Sequence, residues 1–300
     1  MPKLRLRAQG ATNELMNHNT TTSSPVILTI AGFDPSGGAG ILADLKTFAA
    51  HNCYGVAAIT ALTIQNSQGV AQVYPIETSK LRECLENLLA DGHICAVKIG
   101  MLANAANATV VSEFLASNPE LPVVLDPILR STSGKELIDA AGTKVLRTEL
   151  LKRATLITPN LAEAAVLTGL KVETVEEMKT AARRLHEMGA QSAIVTGGHH
   201  EKAVDVFFDG AHLEVFSGDR VKPENTHGTG CTFASAIVAN LAHGRQMKEA
   251  IVLAKVFVTE AIRKAFPVGP GRVPLNHLYR MQQAPRPVAD HAPAVPEAVH

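Results

Sequence analysis

The sequence predicts an α/β fold in which helices cover both faces of a mostly parallel β-sheet. Between about residues 25 and 280, short β-rich apolar runs alternate with longer segments of helical period. The short runs are almost continuously apolar, which is typical of parallel strands buried on both faces. After Gly198 the rhythm changes to two runs joined by Asp209 and Gly210, a pattern that predicts an antiparallel hairpin at one edge of the sheet.

Composition favours one globular domain over residues 25–280, because 300 residues with 46 % hydrophobic content can bury a large core. The basic and polar residues 1–24 and the Ala/Pro-rich residues 281–300 are predicted to be disordered tails. Lysine plus arginine equals aspartate plus glutamate, at 28 each, so no overall charge favours nucleic acid or a membrane. Four cysteines without CxxC spacing favour a reducing compartment, and we expect the cytoplasm.

The predicted elements follow one another in a regular βαβα order up to the hairpin. Strands are predicted at residues 26–30, 56–60, 96–99, 123–126, 155–158 and 193–196, with the hairpin strands at 204–208 and 212–216. Helices are predicted near residues 41–51, 79–90, 106–117, 161–168, 175–188, 229–241 and 248–266. Short right-handed crossovers would connect the parallel strands.

Each of the first six predicted strands ends in a polar or glycine-rich segment. In chain order these are AGFDPSGGAG, TALTIQNSQG, KIGML, DPILRSTSGKEL, TPNLAE and TGGHH. Ligands of open α/β sheets lie beyond the carboxyl ends of the strands, where such segments meet. We therefore expect the functional site at this edge.

The segment NTHGTGC, residues 225–231, predicts an anion site. Gly228 and Gly230 precede an apolar helical period, so a helix should begin near Thr229 with unpaired N–H groups and a positive dipole end. Cys231 would lie in the first turn, where a helix N-terminus favours the thiolate, and it could serve as nucleophile or base. The alternative is a tight turn with a small core cysteine.

Two further segments supply candidate ligand contacts. Residues 34–40 form a glycine-rich loop that matches neither GxGxxG nor the P-loop pattern, and Asp44 in the next helix could support the helix N-terminus or reach a substrate hydroxyl. Gln65 and Asn66 follow an apolar strand, and their amides could either read the edge of a heteroaromatic ring or cap the loop.

Carboxylates at two strand ends suggest a magnesium site. Asp126 ends the fourth predicted strand, and Asn160 and Glu163 open a helix after the fifth. Such hard oxygen ligands suit hydrated Mg²⁺ shared with phosphates. Asn160 and Glu163 also fit a helix capping box, which is compatible with the metal role. His199 and His200 lack a third suitably spaced ligand, so zinc is not expected.

Taken together, these segments resemble the hydroxymethylpyrimidine/phosphomethylpyrimidine kinases of thiamine biosynthesis, which belong to the ribokinase-like superfamily. The resemblance covers residues 26–280, and Cys231 occupies a position where other superfamily members have aspartate. The matching segments are ILTIAGFDPSGGAGILADLKT, ITALTIQNSQGV, VKIGML, LITPNLAEAAVLTG, NTHGTGCTFASAI and GPGRVPLNH.

The resemblance implies a ribokinase-like three-layer α/β/α sandwich and an ATP- and Mg²⁺-dependent phosphoryl transfer. The acceptor would be the 5-hydroxymethyl group of 4-amino-5-hydroxymethyl-2-methylpyrimidine, and a second transfer would convert the monophosphate to the diphosphate. The superfamily often forms dimers, so we expect a homodimer. Alternatives are a pyridoxal kinase of the same fold and a non-catalytic sensor that binds the pyrimidine.

By resemblance, individual residues receive roles in this reaction. Cys231 would face the substrate hydroxyl as a base, and the amides of Gly228, Thr229, Gly230 and Cys231 would hold the transferring phosphoryl group. The other implied roles are pyrimidine binding for Gln65, Gly32, Ala39, Asp44 and Met101, nucleotide binding for Thr196, Gly198, His199 and Asn225, and Mg²⁺ orientation for Asn160, Glu163 (through water) and Asp126.

The sequence departs from the family at two positions. Thr196 replaces a lysine that many members have, which places a charge contact to the nucleotide phosphates in doubt although a hydroxyl could still form a hydrogen bond. Arg130 replaces a residue that is often apolar, and it would either touch a phosphate or face solvent.

Overall fold

Helices cover both faces of a nine-stranded sheet in the computed structural model, which describes residues 24–197, 203–218, 221 and 226–281. The spatial order of the strands is β3-β2-β1-β4-β5-β6-β7-β8-β9. These strands are β1 (Val26–Phe33), β2 (Tyr54–Asn66), β3 (Gly69–Pro75), β4 (Ile94–Ile99), β5 (Val123–Leu125), β6 (Leu156–Ile157), β7 (Ala193–Gly197), β8 (Ala203–Phe208) and β9 (Leu213–Gly218).

The six central strands, from β2 to β7 in spatial order, are parallel, whereas β3, β8 and β9 are antiparallel to their neighbours. The predicted class, a mostly parallel sheet with an antiparallel edge hairpin, is therefore confirmed. Two short strands, β10 (Thr226–His227) and β11 (Val273–Pro274), pair with each other beside this sheet.

The helices form two layers with separate apolar cores. One core packs α1 (Gly40–Ala50), α7 (Thr229–Ala242) and α8 (Met247–Arg263) against one face of the sheet. The other face is covered by α2 (Thr78–Ala90), α3 (Ala105–Ala116), α4 (Ala140–Val145), α5 (Leu161–Thr168) and α6 (Val175–Glu187). Burial of these apolar faces, rather than helix propensity, holds the layers together.

The structure corrects the prediction at the β2 edge. Residues 61–69, expected to be a polar segment after the second strand, instead extend β2 to Asn66 and turn into β3. Leu62, Ile64 and Tyr74 are exposed on one face of this hairpin. Apolar side chains that face solvent hide the usual alternation of a half-buried strand, which explains the error.

Short elements were also missed. The six-residue helix α4 continues into a π-helical turn (Leu146–Leu150) and a 3₁₀ turn (Leu151–Arg153), none of which is long enough to show a clear period in the sequence. Within the described ranges, the structure contains no helix with the length and apolarity needed to cross a membrane. The predicted tails, residues 1–24 and 281–300, fall almost entirely outside the described residues.

Candidate active site

Helix α7 begins at Thr229, the residue at which the sequence predicts it to begin. Its N-cap, Gly228, has a φ of +84°, and the first intrahelical bond runs from the Thr232 amide to the Gly228 carbonyl at 3.0 Å. The amides of Thr229, Gly230 and Cys231 thus precede the helical ladder, and Gly230 is exposed. This geometry can accept an anion at the carboxyl edge of the sheet.

The glycine-rich loop 34–40 lies directly against this helix start. A Cβ atom on Gly228 would lie 1.8 Å from the Gly38 carbonyl oxygen, and one on Gly38 would lie 2.6 Å from the His227 ring. Only glycine permits so close an approach together with the positive φ of Gly228. The two glycine-containing segments therefore form one continuous surface.

Asp34 organises this loop. Its Oδ1 accepts hydrogen bonds from the Ser36 amide at 2.8 Å and the Ser36 hydroxyl at 2.7 Å, and its Oδ2 accepts from the Ala39 amide at 2.9 Å. His227 Nε2 lies 3.0 Å from the same Oδ2. Burial acts to raise the pKa of the Asp34 carboxyl, but the hydrogen bonds from His227 and Ser36 outweigh it and lower the pKa below its usual value.

Gln65 lies close to the start of α7, although it belongs to β2 and not to a loop. Its Nε2 is 2.9 Å from His227 Nε2, and its Oε1 is 3.3 Å from the Thr63 hydroxyl. Gln65 and His227 line a small open cleft, whose other walls include Ser131 and Arg272. A polar ligand in this cleft would contact both side chains.

Asp44 is placed differently from its predicted position in a substrate pocket. Its side chain is completely buried, with Lys98 Nζ donating to Oδ2 at 2.9 Å. The hydroxyls of Thr29 and Ser235 also donate to the carboxylate, each at 2.7 Å. Burial acts to lower the pKa of Lys98, but the nearby Asp44 carboxylate, with Cys231 and Asp126, raises it above its usual value.

Cys231 is buried in the first turn of α7, close to Asp126 and to the Gly40 amide. Burial raises the pKa of its thiol well above the usual value, and the positive charge of Lys98 only partly opposes this. Loss of hydration thus acts against the thiolate that the position at a helix N-terminus was expected to favour.

Asp126 and Glu163 form a pair of buried carboxyl groups near Cys231. Burial raises the pKa of Asp126 to about 6, and burial together with the Asp126 charge raises the pKa of Glu163 to about 8. Among the side chains that the structure describes, the only buried polar atom without a hydrogen-bond partner is Asp126 Oδ2. An unpaired buried carboxylate oxygen beside a second carboxyl group fits a divalent cation.

The predicted capping box is present next to this pair. Asn160 Oδ1 accepts from the Glu163 amide at 3.0 Å, and Glu163 Oε2 accepts from the Asn160 amide at 2.9 Å. Groups of three or more His, Cys, Asp or Glu suited to a metal do not occur within the described part of the chain. The donors therefore fit a partly hydrated ion such as Mg²⁺ better than a closed protein cage.

The remaining predicted site residues lie on the same edge where they are described. Met101 covers Gly32, since a Cβ there would be 2.9 Å from the Met101 sulfur, and Thr196 donates its amide to Pro159 at 2.8 Å, next to Asn160. Arg130 is exposed and pairs with Glu136 at 3.2 Å, so it faces solvent. Gly198, His199 and Asn225 lie outside the described residues.

Sequence reasoning assigned no role to Lys98, Asp34 or His227, all of which the structure places at the site. A lysine inside the apolar run ICAVKI was a usable signal, because a charge in a buried strand needs a partner. Asp34 and His227 are 193 positions apart, and no local pattern indicates that they meet.

Solved structures with the same fold place the chain among the ribokinase-like kinases. The model of the phosphomethylpyrimidine kinase family matches residues 34–276, and the chain belongs to this family. The predicted resemblance and the predicted enzyme class, a phosphotransferase, are both confirmed by this membership.

Three relatives illustrate the similarity. A hydroxymethylpyrimidine/phosphomethylpyrimidine kinase from Aquifex aeolicus is 43 % identical over 82 % of this chain and 97 % of its own length. An ADP complex of Bacillus subtilis pyridoxal kinase is 40 % identical, with a TM-score of 0.79, over 87 % of this chain and 100 % of that one. A phosphomethylpyrimidine kinase from Clostridium difficile is 36 % identical, with a TM-score of 0.72, over 80 % of this chain and 100 % of its own.

Proposed function

We propose that this kinase uses ATP to phosphorylate 4-amino-5-hydroxymethyl-2-methylpyrimidine and then its monophosphate, in thiamine biosynthesis. The observation that carries the proposal is the position of Gln65, whose carboxamide is 2.9 Å from the residue directly preceding the N-cap of α7. A heteroaromatic ring bound by Gln65 would direct a short substituent toward the first amides of α7. The family membership supports the same reaction.

The amides of Thr229, Gly230 and Cys231 would stabilise the charge on the transferring phosphoryl group. Phosphoryl transfer depends mainly on positioning and charge stabilisation, and one preorganised donor of this kind is worth about 3 kcal/mol. Because the pKa of Cys231 is raised by burial, this thiol is protonated at neutral pH. It could accept the alcohol proton only as its own proton passes to the neighbouring Asp126 carboxylate.

Asp126 and Glu163 are the residues that would hold Mg²⁺, Glu163 through water, with Asn160 orienting Glu163. The bound ion would supply positive charge to the phosphate oxygens of the nucleotide. Thr196, next to Asn160, would contact the nucleotide through its hydroxyl. The roles of Gly198, His199 and Asn225 on the nucleotide side remain predictions, as do those of Gly32, Ala39 and Met101 in pyrimidine binding.

A homodimer and a cytoplasmic location are also part of the proposal. Leu62, Ile64 and Tyr74, which share the exposed face of the β2–β3 hairpin, support a dimer because paired apolar side chains at a sheet edge favour association. The cysteine content supports a reducing compartment. Residues 25–280 would form a single kinase domain.

A coupled ADP assay tests the function directly. We expect ADP release that depends on the free pyrimidine and, in a separate reaction, on its monophosphate. Release with the first substrate alone would contradict the second transfer. Absence of pyrimidine-dependent release with either substrate would overturn the proposal and favour a non-catalytic sensor.

Pyridoxal kinase is the second candidate, and the 40 % identity to the Bacillus subtilis pyridoxal kinase favours it. The same assay with pyridoxal separates the two candidates. We expect a higher kcat/KM for the pyrimidine, and a strong preference for pyridoxal would replace the first proposal by the second.

A further inference from the structure

His227 Nε2 contacts both the glycine-rich loop, through Asp34, and strand β2, through Gln65. Asp34 Oδ2 lies 3.0 Å away on one side, and Gln65 Nε2 lies 2.9 Å away on the other. The His227 side chain is only 15 % exposed, so water has little access to these contacts. Each contact must therefore be satisfied by the three side chains themselves.

The contact with Asp34 determines which atom of His227 carries a proton. An ionised carboxylate can only accept hydrogen bonds, and the lowered pKa of Asp34 keeps it ionised at neutral pH. His227 Nε2 must therefore be protonated, in either the neutral or the charged ring. A protonated Nε2 has no lone pair left to accept a hydrogen bond from an amino group of Gln65.

Thr63 restricts the other end of the Gln65 carboxamide. Its hydroxyl has one proton, which it donates to the Phe33 carbonyl at 2.9 Å. Toward Gln65, 3.3 Å away, the hydroxyl can then only accept. Both neighbours are satisfied when the Gln65 oxygen faces His227, where it shares the single Nε2 proton with Asp34 Oδ2, and the Gln65 amino group faces Thr63. This requires a half-turn of a carboxamide whose two ends have nearly equal size.

We propose that His227 is a specificity-determining positioning residue, which holds the Gln65 oxygen so that the amino group of Gln65 is presented as a donor in the cleft. One amino hydrogen would serve Thr63, and the other would be available to an unprotonated ring nitrogen of the substrate. The second lone pair of the Gln65 oxygen would accept from an exocyclic amino group beside that nitrogen. This inference rests on the proposed function, because it describes how the same site selects an aminopyrimidine edge.

The position of His227 also connects ring recognition to phosphoryl transfer. His227 directly precedes Gly228, the N-cap of α7, and its ring packs on Gly38 of the glycine-rich loop. Fixing the Gln65 carboxamide from this point places the recognised edge at a constant distance from the α7 amides. A freely rotating carboxamide would bind the ring in two orientations, of which one is productive.

Two substitutions of His227 separate hydrogen bonding from packing. In His227→Gln the side-chain nitrogen is the same number of bonds from Cα as Nε2 of histidine, so a donor is retained, whereas His227→Leu removes it. We expect His227→Leu to raise KM for the free pyrimidine by about 10- to 100-fold, the range for losing the two hydrogen bonds by which an oriented Gln65 would bind the ring. His227→Gln should stay within about threefold of wild type, and KM for ATP should change less than about twofold in both.

A double-substitution cycle with Gln65→Ala tests whether His227 acts through Gln65. If it does, adding His227→Leu to Gln65→Ala should raise KM by less than about threefold more. The inference would be overturned if His227→Leu raised KM by the same factor in wild type and in Gln65→Ala. It would also be overturned if His227→Gln raised KM as much as His227→Leu. If His227→Leu does not fold, as judged by circular dichroism, His227→Asn takes its place, because its shorter side chain ends at the Nδ1 position.

The ADP assay on the wild-type protein distinguishes failure of the proposed function from failure of the proposed role of His227. Lack of pyrimidine-dependent ADP release by wild type would contradict the proposed function and not the role of His227. In that case the same variants are compared with pyridoxal, which also carries a ring nitrogen. Unchanged KM for pyridoxal in His227→Leu would then overturn the role of His227 by itself.

Discussion

Lys98 donates to Asp44 across 2.9 Å, and both side chains are completely buried beneath the start of α7. The contact joins β4 to α1, while the Thr29 and Ser235 hydroxyls connect the same carboxylate to β1 and α7. The site thus rests on a charged cluster in which each oxygen of Asp44 has a donor. Such a cluster holds its members in one geometry because any displacement leaves a buried charge unpaired.

Replacing Lys98 by methionine should strongly destabilise the fold. Removing one partner leaves the buried Asp44 charge unpaired, which costs about 3–5 kcal/mol in free energy of unfolding. Urea denaturation measures the loss. Lys80→Met is the matched control, because Lys80 and Glu83 form a solvent-exposed pair whose removal should change stability very little. Equal losses in the two variants would show that Lys98 carries no special stabilising role.

Gly228→Ala should abolish most activity. Alanine at a φ of +84° is strained by about 1–2 kcal/mol, and its Cβ would meet the Gly38 carbonyl oxygen at 1.8 Å, so the loop and the helix start must separate. We expect kcat to fall at least about 100-fold, since the amides proposed to bind the phosphoryl group are displaced. Gly244→Ala has a similar φ of +77° with no atom within 4 Å of the added Cβ, and it should retain activity. Similar kcat values for the two variants would contradict this account.

Cys231 should react slowly with iodoacetamide despite its place at a helix N-terminus. Its thiol is buried and its pKa is raised, whereas Cys95 is exposed. At pH 8 we expect alkylation of Cys231 to be at least about tenfold slower than that of Cys95, measured by mass spectrometry of the intact fold. Faster labelling of Cys231 would indicate a thiolate.

Cys231→Ser should lower turnover while calorimetry still detects pyrimidine binding.

His277 should make stability depend on pH below neutrality. Burial, with a smaller effect of Lys46, lowers the pKa of His277 to about 4, and its Nε2 contacts the Thr232 hydroxyl at 3.0 Å. The unfolded chain, with a histidine pKa near 6.5, therefore binds more protons between pH 6.5 and 4, so stability falls as pH is lowered through this window. The loss should approach about 3 kcal/mol.

The comparison with His277→Gln isolates this contribution, because glutamine retains a polar group and has no charge to gain. The difference in free energy of unfolding between wild type and variant should change by about 1.4 kcal/mol per pH unit inside the window and stay constant above pH 7. A constant difference from pH 4 to 7 would show that His277 is not held neutral.

Much of the fold could be predicted because its main signals are local. The βαβ rhythm identified six parallel strands, and Gly228 with the apolar period after it located the start of α7. The capping box at Asn160 and Glu163 is also a local pattern, and the structure contains it. The β2–β3 hairpin escaped prediction because its apolar residues Leu62 and Tyr74 face outward, contrary to the usual rule.

By itself the sequence determined the family, the order of the elements and the glycines at the start of α7, since these depend on residue types at short spacing. Only the tertiary structure decided that Asp44 is enclosed by Lys98, that Cys231 is a buried thiol and that His227 joins Asp34 to Gln65. Hydration, pairing and hydrogen-bond partners depend on groups brought together from distant parts of the chain, and a linear pattern contains no measure of that proximity.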